Sequence, residues 1–197
     1  VINQKGGVGK TTTVINLAAG LSMKEKKILV IDLDPQGNAT TGLGLSNMEK
    51  SDKTIYSVLN GTKNISDVIS KTSFENLDLI TSNVDLSGLE VETAGDNRRA
   101  FILKEQIMLY LNNSRATYDY VLIDCPPSLS LLTIMALVAS NSLIVPLQTE
   151  FFALEGLTQL MKTIDRIKNN LNTELIIKGI LLTMYDKRNK LSSEVEK

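Results

Sequence analysis

The chain has 197 residues, a formal net charge of −1, one cysteine and no histidine. Its length suits one substantial core, and no apolar run approaches the roughly 18 residues that a membrane-spanning helix needs. The lone thiol, Cys125, and the absence of imidazole exclude an internal disulfide and a zinc site of Cys and His ligands, so we expect a protein of the reducing cytoplasm whose metal would be a hard cation bound by oxygen.

Short apolar runs alternate with helical patterns along the chain. The runs predict strands at residues 26–34, 77–82, 118–125, 141–148 and 174–185. Between them, apolar residues at helical spacing predict helices at residues 11–23, 99–112, 129–139 and 154–171. This alternation predicts an α/β fold, with a mostly parallel, twisted sheet covered by helices on both faces.

The pattern predicts one domain over residues 1–197, because no linker, repeat or low-complexity segment interrupts it. The opening VINQ reads as the tail of a strand and the closing LSSEVEK as the start of a helix. We therefore expect part of the first strand and a C-terminal portion to lie outside this sequence. Residues 38–71 are the least regular stretch, and their glycines predict short helical pieces at the edge of the fold.

A glycine-rich loop, NQKGGVGKTTT, occupies residues 3–13. Glycines allow the backbone N–H groups to turn inward around an anion, and the following helix adds its positive end. Lys10 is expected to reach the terminal phosphates of a nucleotide, and the Thr11 hydroxyl to bind Mg²⁺. The loop departs from the usual P-loop pattern, since Gln4 stands where the first glycine belongs and a second lysine, Lys5, follows it. The residues expected to bind nucleotide here are Gly6, Gly7, Val8, Gly9, Lys10, Thr11 and Thr12.

The sequence DLDPQGN, residues 32–38, follows the first long apolar run. Strand alternation would place Asp32 and Asp34 on the same face, at the sheet edge where ligands bind in parallel sheets. Such carboxylates can hold Mg²⁺ through water, or orient and deprotonate an attacking water. Alternatively, one of them, Asp32 more than Asp34, caps the next element.

A third motif, VLIDCPPS, covers residues 121–128. Asp124 at the end of this strand has the position of the acidic residue that supports the Mg²⁺ water shell in P-loop proteins. Pro126 and Pro127 end the strand and stiffen the chain beyond it. Cys125 is expected to be a small buried apolar residue rather than a reactive thiol.

These motifs carry a family resemblance. KGGVGKTT resembles the deviant Walker A motif of the ParA/MinD family of P-loop ATPases, while DLDPQGNATTGLG, DCPPS and TEFFALEGL resemble its chromosomal ParA (Soj-type) branch. The resemblance implies Mg²⁺-dependent ATP hydrolysis, with Lys5 crossing a face-to-face dimer interface to the partner's phosphates. It also implies that Asp34 positions or activates the attacking water, Thr11 binds Mg²⁺ and Asp124 is the Walker B aspartate, so that Thr11, Asp34 and Asp124 form the metal site.

The same resemblance implies partners and a cellular place. A homodimer formed with ATP would bind double-stranded DNA without sequence preference, on the nucleoid in the cytoplasm and not on a membrane. A ParB/Spo0J-type partner protein would stimulate hydrolysis and release it. The adenine base is expected near Met184 and Tyr185, although Met184 could equally fill the core. The candidate DNA-binding residues are Lys187, Arg188 and Lys190 after the last strand and Lys162, Arg166 and Lys168 on a helix; each trio could also be a solvated face.

Three rival functions share the loop chemistry. A MinD-like cell-division ATPase would bind membrane through a C-terminal amphipathic helix. An ATP-dependent ligase or synthetase would need a pocket for a small acceptor, and a transcriptional regulator would use ATP for dimerisation alone. A nitrogenase iron protein would need two cluster-binding cysteines, and the sequence has one.

Overall fold

The apolar runs lie side by side as strands in a computed structural model that describes residues 1–46, 51–113, 117–150, 153–186 and 188. Two groups of strands form: one of four strands and one of two. In chain order the strands are β1 (Ile28–Asp32), β2 (Ile69–Lys71), β3 (Leu77–Ile80), β4 (Tyr120–Asp124), β5 (Ser142–Gln148) and β6 (Ile176–Thr183). The order in the first group is β2-β3-β1-β4, with β1 parallel to β3 and β4 and with β2 antiparallel to β3; β5 and β6 pair in parallel.

The first residues of the chain connect the two groups. The Val1 amino group donates to the Ile123 carbonyl of β4 at 2.8 Å, and Ile2 N donates to the Ile144 carbonyl of β5 at 3.1 Å. Residues 1–3 therefore run between β4 and β5, as the end of a central strand would. These two hydrogen bonds join the four-stranded and the two-stranded group through residues 1 and 2.

Eight α-helices connect the strands in the described part of the chain. They are α1 (Lys10–Ser22), α2 (Asn38–Gly42), α3 (Ile55–Leu59), α4 (Ile65–Val68), α5 (Leu89–Glu92), α6 (Ile102–Asn113), α7 (Leu131–Ala139) and α8 (Ala153–Asn170). Short 3₁₀ helices precede α5 and α6, at Val84–Gly88 and Arg99–Phe101.

Alternate residues of β1 enter cores on opposite faces of the sheet. Ile28 and Val30 pack in a cluster with residues of α1, while Leu29 and Ile31 pack in another with residues of α3, α6 and α7. All five residues of β1 are buried, as expected for a parallel strand covered on both faces. The predicted α/β fold, with a mostly parallel sheet and helices on both faces, is confirmed.

Two regions differ from the prediction. Residues 38–71 form α2, α3, α4 and the edge strand β2, but Ile55, Val58 and Ile65 are buried in the core, so only β2 lies at the edge. Their apolar side chains cover one face of the sheet, which glycine spacing alone did not indicate. β6 is exposed along residues 176–181, although its apolar run predicted a covered strand, and it pairs with β5 in the two-stranded group.

Candidate functional site

The glycine loop runs from the end of the first strand into α1. Gly7 and Gly9 have φ values of 75° and 88°, in the left-handed region that favours glycine, and Gly9 is the residue before α1. Lys10 opens the helix and is buried, with 7% of its surface exposed, and its Nζ donates to the Lys5 carbonyl at 2.9 Å. The backbone of the loop therefore surrounds the Lys10 amine, and the loop leads directly into the N-terminal end of α1.

The last strand supports this loop from the other side. Thr183 Oγ1 donates to the Val8 carbonyl at 2.9 Å, and a Cβ on Gly9 would lie 3.5 Å from Thr183 Cγ2. Val8 is buried, with 1% of its surface exposed. Thr183 was missed by the sequence reasoning, because nothing local marks a contact between residues 175 positions apart.

Asp124 is a buried carboxylate at the site. It ends β4 with 0% of its surface exposed, and neither carboxylate oxygen has a hydrogen-bond partner among the described residues. Burial raises the pKa of Asp124, while the Thr11 hydroxyl, which lies near the carboxylate without meeting hydrogen-bond geometry, and the Lys10 charge oppose the rise. Burial lowers the pKa of Lys10, opposed by Asp124 and Asp34. Buried polar atoms normally have partners, so this carboxylate is available to a cation or its water.

Asp32 lies beside Asp124, since the two are register partners in β1 and β4. Its Oδ2 accepts hydrogen bonds from Thr40 N and Thr40 Oγ1, each at 2.7 Å, and its Oδ1 accepts from Asp34 N at 3.2 Å. Burial raises the pKa of Asp32 to about 7, against the effect of the Thr40 bonds. Because Thr40 lies in the first turn of α2, Asp32 holds that helix, which supports the capping alternative for this residue.

Asp34 has a different environment. β1 ends at Asp32, so Asp34 is positioned by a turn rather than by strand alternation. Gly37 N closes the turn on the Asp34 carbonyl at 2.9 Å, and Gln36 N donates to Asp34 Oδ1 at 3.0 Å. The side chain is buried but lies within the electrostatic reach of Lys10. Asp34, Lys10 and Asp124 thus meet at one edge of the sheet.

Lys5 lies on the surface of the loop. Its backbone N donates to Asn3 Oδ1 at 3.0 Å, and its side chain, 46% exposed, forms an ion pair with Glu150 of the same chain. Gln4 Nε2 donates to the Gly156 carbonyl at 3.0 Å, which attaches the loop to α8. The sequence reasoning missed Glu150, a partner 145 residues away.

An open cavity of about 650 Å³ lies beside the loop, bordered by Gly9, Thr12 and Asn16 on one side and by Leu181 and Met184 on the other. Met184 is 64% exposed with a φ of 51°, so it does not fill the core. The side chain of Tyr185, the next residue, is partly buried. The cavity and Met184 are where the sequence predicted the nucleotide base.

The candidate DNA-binding residues are only partly described. Lys162, Arg166 and Lys168 are exposed on α8, whose opposite side buries Leu160, Ile164 and Ile167. Arg188 pairs with Asp186 at 2.8 Å, while Lys187 and Lys190 lie outside the described residues. Within the described ranges, no helix has the length and apolar character needed to cross a bilayer.

The fold and this site define a P-loop nucleotide-binding protein: a glycine loop, a buried lysine and a buried strand-end aspartate meet at the N-terminus of a helix. The family described as AAA domain matches residues 1–177. Chromosome partitioning protein ParA of Caulobacter vibrioides is 50% identical over 197 residues, which cover 100% of this chain and 73% of that protein. Sporulation initiation inhibitor protein Soj of Bacillus subtilis is 47% identical, over 99% of this chain and 75% of its own length.

A solved structure agrees with these relatives. Cobyrinic acid a,c-diamide synthase from Mycobacterium smegmatis, with bound ADP and magnesium, has a TM-score of 0.90 and 37% identity, covering 99% of this chain and 77% of that one. The chain belongs to the ParA/Soj family of P-loop ATPases, as its motifs predicted.

Proposed function

We propose that this chain is an ATP-dependent partition switch whose Mg²⁺-dependent hydrolysis releases a DNA-bound dimer. The observation that carries the proposal is the buried, unpartnered carboxylate of Asp124 beside buried Lys10 at the glycine loop. The Asp124 carboxylate has no hydrogen-bond partner among the described residues, and a cation bound with a nucleotide would supply its counter-charge. The relative from Caulobacter vibrioides is a chromosome partitioning protein, which supports the partition role.

The site residues fit ATP and magnesium. The backbone of residues 6–9 and the Lys10 amine would hold the phosphates, and Thr11, Asp34 and Asp124 would support the cation directly or through water. Bound Mg²⁺ would neutralise charge developing on the phosphate oxygens. Asp34, held in its turn by the Gln36 and Gly37 amides, would orient the attacking water. The base would occupy the cavity bordered by Met184, next to Tyr185 and Thr12.

Dimerisation would depend on Lys5. Two facing triphosphates repel unless cations lie between them, and an exposed lysine beside one site can reach the other. In the free chain Glu150 holds this amine, so a partner's phosphates must replace Glu150 as its counter-charge. An exposed ion pair contributes at most about 1 kcal/mol, which a triphosphate in a desolvated interface readily exceeds. The dimer would then report the presence of triphosphate.

Binding to DNA would use exposed basic side chains. Lys162 and Arg166 are exposed on one face of α8, Lys168 is exposed on the same helix but displaced from that face, and Arg188 adds a cation beyond β6. Contacts with phosphates alone carry no sequence preference and weaken steeply with salt. A ParB-type protein would stimulate hydrolysis and release the dimer from the nucleoid.

Light scattering with ADP and with ATP, in the presence and absence of DNA, tests this proposal. Lys5→Ala should abolish the ATP-dependent dimer while leaving the binding of one nucleotide per chain, since Lys10 remains. Lys24→Ala, an exposed lysine near the far end of α1, is the matched control and should dimerise like the wild type. A Lys5→Ala protein that dimerises normally would remove the proposed role of this residue.

A synthase is the second candidate, because the solved diamide synthase shares 37% of its sequence with this chain. The partition relatives share 50% and 47%, which favours the switch. Release of phosphate from ATP without any small-molecule acceptor, together with a salt-dependent DNA shift, supports the switch. A MinD-like ATPase would instead pellet with anionic liposomes.

A further inference from the structure

Two residues that bond to each other, Asp32 and Thr40, flank the turn that carries Asp34. Asp32 is the last residue of β1, immediately before the turn, and Thr40 lies in the first turn of α2, immediately after it. Two hydrogen bonds of 2.7 Å join Thr40 N and Oγ1 to Asp32 Oδ2. They close a loop that spans residues 32–40, and Asp34 lies inside it.

The Thr40 hydroxyl uses both of its hydrogen-bonding functions. It donates its proton to Asp32 and accepts the Ser82 N–H at 3.0 Å. Thr40, Asp32 and Ser82 each have 0% of their surface exposed, so water cannot replace these bonds. The Thr40 side chain therefore links β1, α2 and the segment that follows β3.

The turn has few other constraints. Gly37 takes a φ of 62°, and the bonds within the turn are those from Gly37 N to the Asp34 carbonyl and from Gln36 N to Asp34 Oδ1. These fix the local shape of the turn, but they do not fix where it lies relative to the sheet. That placement depends on Asp32 and Thr40, together with the bonds from Asp34 N to Asp32 Oδ1 at 3.2 Å and from Leu33 N to the Asp124 carbonyl at 2.9 Å.

We propose that Thr40 is a positioning residue for hydrolysis, which holds the Asp34 carboxylate in place through its buried bonds to Asp32 and Ser82. It does not touch nucleotide or cation. This inference rests on the proposed role of Asp34. Moving a catalytic group by about 1 Å can lower the turnover rate by about 100-fold, and it lowers the affinity for the substrate less.

Single-turnover hydrolysis of ATP and the dissociation constant for ATP, measured on the same proteins, test the proposal. Thr40→Val preserves shape and removes both bonds of the hydroxyl, so turnover should fall about tenfold, with ATP affinity changed less than about twofold. Thr40→Ser keeps both bonds and should restore turnover to within about twofold of the wild type. Thr41→Val, at the exposed neighbouring position in α2, is the control and should behave as wild type.

A double substitution separates positioning from loss of fold. In an Asp34→Ala background, Thr40→Val should lower the residual rate by less than about twofold, because the group that it positions is gone. An equal fractional loss in both backgrounds, a parallel loss of affinity, or a Thr40→Ser protein as slow as Thr40→Val would overturn the inference. Thr40→Ala replaces Thr40→Val if the latter does not fold. If Asp34→Ala alone hydrolyses ATP normally, the role of Asp34 fails instead, whatever Thr40 does.

Discussion

The ends of β1 and β4 present two aspartates in matching positions with opposite surroundings. Asp32 and Asp124 are register partners, and each has 0% of its surface exposed. Asp32 accepts three hydrogen bonds from Thr40 and Asp34, whereas neither oxygen of Asp124 has a partner among the described residues. The first carboxylate is part of the scaffold, and the second is available to a ligand.

This difference shows how a buried charge can be assigned a role. An unpartnered buried carboxylate costs free energy of folding, which proteins tolerate where a ligand later compensates it. A fully bonded one costs less and orders the chain around it. Asp124 is therefore expected to support a cation and Asp32 to position its neighbours, although both lie at the same edge of the sheet.

The largest expected effect is on the pH dependence of stability. Burial raises the pKa of Asp32 to about 7 and also raises that of Asp124. Between pH 4 and 7 the folded chain therefore keeps a proton on Asp32 that the unfolded chain releases, so the free energy of unfolding should fall as the pH rises. One pKa unit corresponds to about 1.4 kcal/mol, and the fall from Asp32 is on the order of 4 kcal/mol.

Urea unfolding of the nucleotide-free protein at pH 5 and pH 8 should record about 2.6 kcal/mol of this fall, because the unfolded carboxyl is already mostly ionised at pH 5. Hydrogen bonds lower the pKa of three other carboxylates, Asp52, Asp67 and Asp186, so their contributions change only below about pH 4, outside the window. Equal stability at the two pH values would contradict the raised pKa of Asp32.

Next in size is the loss expected for Asp124→Asn. Hydrolysis supported by Mg²⁺ should fall by about 100-fold or more, because the neutral amide no longer supports the cation. The nucleotide-free protein should be at least as stable as the wild type, since a buried charge without partners is removed. Phosphate release from ATP measures the first part and thermal unfolding of the nucleotide-free protein the second, and a large loss of stability in the free protein would contradict the assignment.

Asp32→Ala should lower stability, whereas Asp124→Asn should not. Asp32→Ala leaves the Thr40 N–H and hydroxyl without their acceptor in a buried place, at a cost of about 2 kcal/mol in the free energy of unfolding. Urea unfolding at pH 5, where Asp32 is mostly protonated in the folded chain, should show this loss for Asp32→Ala but not for Asp124→Ala. If both variants lose the same stability, the distinction between the two carboxylates is wrong.

The smallest effect concerns Glu150. Glu150→Gln removes the charge that holds Lys5 in the free chain, and the stability change should stay below about 1 kcal/mol because the pair is exposed. The ATP concentration needed for dimerisation should fall about two- to threefold, since Lys5 is no longer engaged. Glu155→Gln, nearby on α8 and also exposed, is the matched control. A higher ATP requirement in Glu150→Gln would show that Glu150 assists the dimer.

Much of the fold could be predicted from local pattern. The strands predicted at residues 26–34, 77–82 and 118–125 became β1, β3 and β4, each shortened where turn residues begin. β2 was missed because three residues, ISK, are too few to show a period. The roles of Lys5, Lys10, Asp34 and the other site residues stay predictions that the proposed variants test.

The sequence by itself determined the alternation of strands and helices, the glycine loop and the meeting of three motifs at one sheet edge, because these depend on side-chain periodicity and on backbone angles near each residue. Tertiary structure decided which aspartate is bonded and which is left open, that Thr183 supports the loop, and that Glu150 holds Lys5. Those contacts depend on how segments that are distant in the sequence pack together, and the residues near each position do not determine that packing.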